Sequence, residues 1–362
     1  MKKRKTMLSS ALALLLAAAL LAGCAAAPEV EEAEKDDRIV NVVALVDYLG
    51  DLSYNDGIVW ELNRAEERYR SMPGVELSVS VHELQVGTGG EKGNMESVLR
   101  AESDLIFVNS FAILPFLEPA AAYYPEKNFV LIDVEATGAN IFSALFKPSE
   151  AAYLCGALAA KMSETGVIGI VIGMDIPALH DFAVGYILGA LAVDPDCKVI
   201  ISVVGNFHDA EIGYELAAAQ FDRGADVCFS AAGGAGMGCI QAAGDFGRYA
   251  IGVDVDQTEQ VEPELRDVIL TSCLKNFDAM ITILLEDYLA GELYFGESKR
   301  YGLPDGAVGI ARNRYYLNMV PQDVQNAIDA LEEKVRTGEV YVPSAFEMTQ
   351  AEVEELFRSV RP

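Results

Sequence analysis

The chain has 362 residues and a formal net charge of −28 at pH 7, and 51% of its residues are hydrophobic. So acidic a surface repels phosphate backbones and anionic head groups, which excludes nucleic acid and anionic lipid as partners. The apolar content is ample for large cores, and the length predicts two domains.

Residues 1–23 have the pattern of a bacterial lipoprotein signal peptide. Lys2-Lys3-Arg4-Lys5 is basic, Ala11–Ala22 is apolar, and Gly23 leads directly into Cys24. The apolar run is shorter than the roughly 20 residues that a permanent transmembrane helix needs, which indicates that it is removed. We therefore expect an acylated Cys24 at the start of the mature chain, on the outer face of the cell membrane. The alternative is an ordinary secreted protein with a coincidental cysteine.

Residues 24–38 combine alanine, acidic residues and one proline, which is typical of a flexible tether. Beyond them, short β-branched runs alternate with helical patterns, as in parallel sheets covered by helices. The predicted strands are Asn41–Val46, Glu76–Val81, Asp104–Val108, Phe129–Asp133, Val167–Gly173, Lys198–Val204, Val227–Ser230, Tyr249–Val253 and Ile269–Ser272. The predicted helices are Asn55–Tyr69, Lys92–Ala101, Pro115–Tyr123, Ser149–Met162, His180–Ala192, Asp209–Asp222, Gly236–Phe246 and Phe277–Ala290. Four strands precede residue 140 and the others follow residue 165, so we predict an α/β fold of two similar lobes.

Polar side chains that follow the strands are the candidates for binding, because parallel sheets bind ligands at the carboxyl ends of their strands. The first strand is followed by a loop from Asp47 to Asn55 that contains Tyr54. This loop offers carboxylates, an amide and an aromatic face to a ligand. Equally, it is a capped helix start, with Asp51 or Ser53 as the N-cap and Tyr54 packed as a staple.

An aromatic residue, Phe207, follows the strand Lys198–Val204 within a strand-to-helix turn. Burial in the core is the commoner fate of phenylalanine. If two lobes close face to face, however, Tyr54 and Phe207 are able to sandwich a flat ring.

A glycine-rich loop that contains Gly233 and Gly234 follows the strand Val227–Ser230, and Asp254 follows about 20 residues later. This spacing resembles a dinucleotide-binding fingerprint, although Cys239 stands where the third glycine belongs. Even without the third glycine, the glycines let backbone N–H groups approach a ligand closely. Asp254 supplies a carboxylate that is able to accept hydrogen bonds from a sugar diol. Lys275 is either a donor beside Asp254 or a salt-bridged surface lysine.

The chain has no motif for catalysis, for a metal site or for a disulfide framework. No nucleophile elbow and no ligand-spaced histidines occur, and we expect neither cofactor nor metal. Five cysteines besides Cys24 lie in apolar settings without C-x-x-C spacing, so we expect them to be buried small hydrophobic residues.

Taken together, these segments resemble the basic membrane protein family of substrate-binding lipoproteins, which includes purine-nucleoside receptors of ATP-binding-cassette (ABC) importers. The resemblance runs from about Val42 to Pro343. It is carried by Asp51-Leu52-Ser53-Tyr54-Asn55, Ser163-Glu164-Thr165-Gly166, Phe229 to Gly236, Gly252-Val253-Asp254-Val255-Asp256-Gln257, Leu270-Thr271-Ser272-Cys273-Leu274-Lys275 and Asp305-Gly306-Ala307-Val308-Gly309.

The resemblance implies a periplasmic-binding-protein-like type I clamshell that is not an enzyme. Lobe 1 would comprise residues 39–147 and about 273–310, and lobe 2 would comprise residues 148–272 and about 311–362. A nucleoside-like ligand would lie between them and be delivered to an ABC permease. The rivals are a sensor lipoprotein for another small solute and, less favoured, a dinucleotide-dependent enzyme.

The resemblance also implies roles for individual residues. Tyr54 and Phe207 would stack the base, while Asp47 and Asn55 would contribute polar contacts from lobe 1. Asp254 and Lys275 would hold the ribose, with the backbone near Gly233 and Gly234 closing the pocket. Pro115 stands where nucleoside binders place an acid that reads the purine edge, so the ribose contacts are better supported than a purine preference.

Overall fold

The computed structural model describes residues 38–362, and its strands form two six-stranded sheets. The first sheet has the order β11-β5-β4-β3-β1-β2, and the pairings from β11 to β1 are all parallel. Its strands are β1 (Arg38–Val46), β2 (Val75–Glu83), β3 (Leu105–Val108), β4 (Phe129–Ile132), β5 (Ile141–Phe146) and β11 (Ser298–Tyr301).

The second sheet has the order β12-β10-β9-β8-β6-β7. Its strands are β6 (Val167–Ile172), β7 (Lys198–Val203), β8 (Val227–Ala231), β9 (Tyr249–Asp254), β10 (Ile269–Lys275) and β12 (Val308–Ile310). All pairings are parallel except that β12 runs antiparallel to β10 at one edge. Two parallel-dominated sheets in an α/β fold confirm the predicted fold class.

The helices follow the strands in alternation along most of the chain. They are α1 (Tyr54–Arg70), α2 (Glu91–Arg100), α3 (Leu114–Tyr123), α4 (Pro148–Met162), α5 (Pro177–Val193), α6 (Ala210–Asp222), α7 (Gly236–Phe246), α8 (Phe277–Ala290), α9 (Arg314–Met319), α10 (Gln322–Arg336) and α11 (Gln350–Ser359). Helices cover both faces of such sheets, which is why central strands such as β3 and β4 are buried at every residue.

The chain crosses between the two sheets three times. It leaves β5 and reaches β6 through α4, returns from β10 to β11 through α8, and crosses again directly from β11 to β12. The predicted residue boundaries of the lobes stay a prediction. Two segments differ from them, because residues 273–275 and 308–310 were assigned to lobe 1 but pair within the second sheet.

Three strands and three helices were not predicted, namely β5, β11, β12 and α9 to α11. The strand β5 is buried at every residue, so it has no alternation to mark it. The edge strand β11 has the sequence Ser-Lys-Arg-Tyr, and its charged residues are typical of an exposed sheet edge. Because the strand is not an apolar run, its sequence does not predict it. The five predicted buried cysteines within residues 38–362 are all buried free thiols.

Candidate functional site

A cleft lies between the two sheets, at the carboxyl ends of their strands. It encloses about 1100 Å³ of empty space, part of which is open to solvent. Seven of the eight residues predicted to bind ligand line this cleft, and they come from both sheets: Asp47, Tyr54, Asn55, Phe207, Gly233, Asp254 and Lys275. The eighth, Gly234, is a neighbour of two lining residues, since a Cβ atom there would be 3.3 Å from the carbonyl oxygen of Phe207 and 3.7 Å from the backbone of Asp51. Cys24 lies outside the described residues.

The loop before α1 is held by the buried carboxylate of Asp51. This carboxylate accepts hydrogen bonds from the backbone N–H groups of Ser53, Asn55 and Asp56 at 2.8–3.1 Å. Burial raises the pKa of Asp51, and these backbone hydrogen bonds oppose the rise. Asp51 therefore caps the helix, as one of the two alternatives predicted, while the Ser53 side chain makes no capping bond.

Instead, the Ser53 hydroxyl contacts a residue of the second sheet, on the other side of the cleft. Its Oγ donates a hydrogen bond to Oδ2 of Asp254 at 2.7 Å, and both residues are buried. The loop is thus both a capped helix start and one wall of the cleft. The capped helix start is confirmed, and a role of the loop in ligand binding stays a prediction.

Tyr54 and Asn55, the first residues of α1, are fixed by contacts with neighbouring loops. The Tyr54 hydroxyl donates to the carbonyl oxygen of Ile132 at 2.8 Å. The Asn55 amide nitrogen donates to Asp51, and its oxygen accepts from the Asn109 amide at 2.8 Å. These bonds preorganise the wall of the cleft.

A buried cation, Lys275, lines the cleft. The Lys275 Nζ atom lies 2.6 Å from Oδ2 of Asp133 and 3.6 Å from Oδ1 of Asp254, and the lysine side chain is 10% exposed. Burial alone would lower the pKa of Lys275, but the two carboxylates outweigh burial and raise it above its ordinary value. The lysine is therefore charged at neutral pH and is held by both sheets.

Aromatic rings surround this cation. The Lys275 Nζ atom lies 4.6 Å from the ring centroid of Tyr54 and 5.2 Å from that of Phe182. Such cation–π contacts stabilise a desolvated ammonium by about 2 kcal/mol. Tyr54, predicted to be a stacking platform for a ligand, thus also supports Lys275.

Asp133 and Asp254 each end a strand in a left-handed backbone conformation. Their φ angles are +55° and +64°, values that non-glycine residues rarely adopt. This turn directs both carboxylates at Lys275. Burial raises the pKa of Asp254, although Lys275 and the Ser53 hydroxyl act in the opposite direction.

The opposite wall consists of Phe207 and the glycine-rich loop. The Phe207 ring lies against Gly173, where a Cβ atom would be 2.4 Å from the ring, and Gly233 adopts φ +56°. Gly236 and Gly238 serve packing, since Cβ atoms there would lie 2.9 Å from the Ser230 carbonyl oxygen and 1.8 Å from that of Ala210. Close packing within the second sheet and its helices thus accounts for Gly238 and for Gly236, the second glycine of the pattern that resembled a dinucleotide fingerprint.

Residues missed by the sequence search also line the cleft. They include Asp133, Asn109, Phe146, Phe182, Arg300 and Phe346. Two of them have a signal in the sequence, namely a polar residue at the end of a predicted strand. Asn109 directly follows Asp104–Val108, and Asp133 is the last residue of Phe129–Asp133. Arg300 lies on a strand that was not predicted.

Two negative findings concern residues 38–362. Within them, no group of three or more His, Cys, Asp or Glu side chains is arranged to hold a metal ion. No helix in this range is both long and apolar enough to cross a bilayer.

Comparison with known proteins supports a single family. The sequence profile of the Bmp family, described as ABC transporter substrate-binding protein PnrA-like, matches residues 40–345. The chain is similar to basic membrane protein A of Borreliella afzelii, with 29% identity over 81% of this chain and 88% of the relative. It is also similar to the ABC transporter nucleoside-binding protein BmpA of Lactococcus lactis subsp. cremoris, with 28% identity over 94% of this chain and 99% of the relative.

Solved structures share the fold. An ABC transporter system solute-binding protein from Aeropyrum pernix K1 matches with a TM-score of 0.74 and 24% identity, over 89% of this chain and 97% of that one. A second such protein, from Conexibacter woesei, matches with a TM-score of 0.68 and 20% identity, over 84% of this chain and 99% of that one. The chain therefore belongs to the Bmp family of ABC transporter substrate-binding proteins, and it is a binding protein rather than an enzyme.

Proposed function

We propose that this protein captures a nucleoside, with a purine as the expected base, in the cleft between its sheets and delivers it to an ABC permease. The observation that carries the proposal is the buried set of Asp254 and Lys275 beside aromatic rings. A carboxylate and an ammonium 3.6 Å apart suit a ribose diol, which both donates and accepts hydrogen bonds. One relative, from Lactococcus lactis, bears the name of a nucleoside-binding protein.

The carboxylate of Asp254 has capacity left for a ligand. It accepts one hydrogen bond from Ser53 at 2.7 Å and lies near Lys275, whereas an ionised carboxylate offers about four acceptor positions. Hydrogen bonds to charged groups contribute about 1.5–3 kcal/mol each. The ribose is therefore expected to supply much of the binding energy.

The base would lie between Tyr54 and Phe207, which come from opposite walls of the cleft. Stacking on aromatic rings is sequence-tolerant, because every base has a π-face, and contributes about 1–3 kcal/mol per base. Pro115, where the resemblance implies an acid, lies in the first turn of α3 and has no group to read the base edge. A purine preference then requires other residues.

Closure around the ligand would prepare the protein for its permease. Binding shifts a two-state equilibrium only through a difference in affinity between the open and closed forms. A ligand that contacts Asp254 in one wall and Asn55 in the other makes both contacts only in the closed form. It therefore has the higher affinity for that form.

The proposed location is the outer face of the cell membrane, through a lipid on Cys24. The support is the basic, apolar and Leu-Ala-Gly-Cys pattern of residues 1–24. A Cys24→Ser variant should be absent from the membrane fraction of the cells that express it. Retention of the variant in that fraction would contradict the anchor.

The binding experiment is calorimetry and thermal unfolding of residues 25–362 with nucleosides, free bases, ribose and amino acids. Ligand at 100 times its dissociation constant adds about 2.7 kcal/mol to the free energy of unfolding, which raises the melting temperature by a few degrees. We expect this rise with nucleosides and not with free bases.

Asp254→Ala should weaken nucleoside binding about tenfold or more, since it removes at least one charge-assisted hydrogen bond. Asp245→Ala is the matched control, because Asp245 is an exposed carboxylate on the same half of the molecule. If the two variants bind nucleoside with equal affinity, Asp254 is not part of the binding site. If only another class of solute raises the melting temperature, the fold assignment is unaffected, but the proposal of a nucleoside ligand is wrong.

A further inference from the structure

The cleft continues beyond the residues proposed to hold the ribose, towards the edge strand β11 of the first sheet. Asp133 directly follows β4, Leu145 lies beside it on β5, and Arg300 lies beside Leu145 on β11. All three residues line the cleft. Because neighbouring strands are about 4.8 Å apart, the backbone of Arg300 is about 10 Å from that of Asp133, the partner of Lys275. A ligand held at Lys275 is therefore able to extend towards Arg300.

The guanidinium group of Arg300 has no ion pair and no hydrogen bond within residues 38–362, although its side chain is partly buried. The other arginine side chains of this range that lack both are exposed, namely Arg223, Arg248 and Arg361. A charge that is partly removed from water is normally paired, and a chain with 55 acidic residues has many carboxylates to offer. An anionic group on the ligand would supply the missing partner.

Three carboxylates lie in the neighbourhood of Arg300, but each is engaged by other donors. Asp181 accepts hydrogen bonds from one hydroxyl and two backbone N–H groups at 2.7–3.2 Å. Glu347 accepts from one hydroxyl and one backbone N–H group. Glu135 accepts at 3.0 Å from the hydroxyl of Ser298, two residues before Arg300 on β11. None of the three forms an ion pair with Arg300, so its N–H groups stay available to a ligand.

The surroundings of the guanidinium group favour an anion. Its Cζ atom lies 4.8 Å from the ring centroid of Phe346, which also lines the cleft, and a guanidinium stacked on a ring keeps its N–H groups at the edge of its plane. The other walls at this end include the apolar side chains of Leu145, Phe146 and Ile176, which strengthen local electrostatic attraction. The net negative charge of the chain opposes an anion only weakly, since salt screens exposed charges beyond about 8–10 Å.

We propose that the cleft binds a nucleoside that carries an anionic group at its 5′ position, and that Arg300 binds this group. The inference rests on the proposed nucleoside function. A diol held by Asp254 uses the 2′ and 3′ hydroxyl groups of the ribose, which leaves the 5′ position for a substituent. A guanidinium group binds phosphate and carboxylate through two parallel hydrogen bonds. Nucleoside 5′-monophosphates and nucleoside 5′-carboxylates both have this chemistry.

The first experiment compares a nucleoside with its 5′-monophosphate and its 5′-carboxylate by calorimetry on wild-type residues 25–362. We expect at least one 5′ anion to bind about tenfold or more tightly than the nucleoside, and the tighter anion identifies the group. This advantage should decrease at high salt, because salt screens charge pairs. The 3′-monophosphate should bind more weakly than the 5′-monophosphate, since it lacks one hydroxyl group of the diol. Equal or weaker binding of both 5′ anions, relative to the nucleoside, would contradict the inference.

Two variants assign the effect to Arg300. Arg300→Gln removes the charge and should reduce the ratio of the two affinities, 5′ anion to nucleoside, to about one. Arg300→Lys keeps the charge but not the planar pair of donors, so it should retain part of the advantage. Lys299→Gln is the matched control, because it removes the same charge from the exposed neighbouring residue, whose side chain points to the opposite face of β11. It should leave the ratio unchanged. A ratio that Arg300→Gln does not change would mean that another residue binds the anion.

The outcomes separate this inference from the proposed function. If the nucleoside binds and neither 5′ anion binds more tightly, Arg300 does not bind a ligand group and the proposed function is unaffected. If a 5′ anion binds and the nucleoside does not, the role of Arg300 is supported and the nucleoside ligand is wrong. If none of them binds, both proposals are wrong. Should Arg300→Gln fail to fold, Arg300→Lys and the wild-type affinities still decide.

Discussion

The backbone conformation and the burial of Asp254 each destabilise the folded chain. Its φ angle of +64° is rare outside glycine, and its carboxylate is buried. Strained backbone of this kind costs about 1–3 kcal/mol and clusters at binding sites, where the surrounding structure imposes it. Both features suit the ligand contact that we propose for Asp254.

The raised pKa of Asp254 leads to a prediction about pH. A carboxyl group whose pKa is raised by folding stabilises the folded state below the unfolded value, near 3.8, and loses that contribution as pH rises through the raised pKa. Asparagine does not titrate and is still able to accept from Ser53. The free energy of unfolding of Asp254→Asn, relative to wild type, should therefore increase as pH rises above 3.8.

Urea unfolding of both proteins between pH 4 and pH 8 measures this difference. Asp245→Asn serves as a control that changes an exposed carboxylate. A difference between Asp254→Asn and wild type that is constant with pH would show that Asp254 titrates alike in the folded and unfolded chains.

At the scale of elements, the helix pair α4 and α5 sets one wall of the cleft. Their backbones touch, because Cβ atoms at Gly156 and Gly189 would lie only 1.9 and 1.8 Å from the carbonyl oxygens of Tyr186 and Tyr153. The first turns of α5 place Ala178, Leu179 and Phe182 on the cleft. A shift of α5 would therefore move the wall that faces the ligand.

We predict that Gly189→Ala destabilises the domain by about 1–3 kcal/mol or more, since the added methyl group has no space between the helices. Gly93→Ala is the matched control in α2, where a Cβ atom would meet nothing within 4 Å. That substitution should stabilise the domain by about 0.5–1 kcal/mol, because alanine is the better helix former. Chemical denaturation measures both. A tolerated Gly189→Ala would contradict the close contact of the two helices.

At the scale of the whole molecule, two polar contacts join opposite sides of the cleft. Ser53, before α1, donates to Asp254 at the end of β9, and Asp133, at the end of β4, pairs with Lys275 at the end of β10. Both contacts link the first sheet to the second. They stabilise the arrangement in which the strand ends face each other.

Ser53→Ala should shift this arrangement towards a more open one. The lost hydrogen bond contributes about 0.5–1.5 kcal/mol, which corresponds to a few-fold change in the ratio of open to closed molecules. Small-angle X-ray scattering should show a larger radius of gyration, and added ligand should reverse the increase. Ser71→Ala, which removes an exposed hydroxyl at the end of α1, should leave the scattering unchanged. Equal radii for all three proteins would exclude Ser53 as a link that favours closure.

Much of this protein was predictable because the signals are local. Apolar runs of strand length alternate with helical periods, and this pattern by itself predicted the α/β class and nine of the twelve strands that residues 38–362 form. The rule that ligands bind after parallel strands led to Asp47, Phe207 and Asp254, which do line one cleft. The same rule led to Lys275, which follows the predicted strand Ile269–Ser272, and the family resemblance added the binding function.

The sequence by itself thus determined the class of fold, the family and seven of the residues that line the cleft, since each depends on short stretches of chain. The tertiary structure decided which side chains meet. Ser53 finds Asp254 across 201 residues and Asn55 finds Asn109 across 54, and neither pairing has a local signal. Hydrogen bonds require donor and acceptor within about 3 Å, so the pairing depends on how the two sheets and their loops are placed in space.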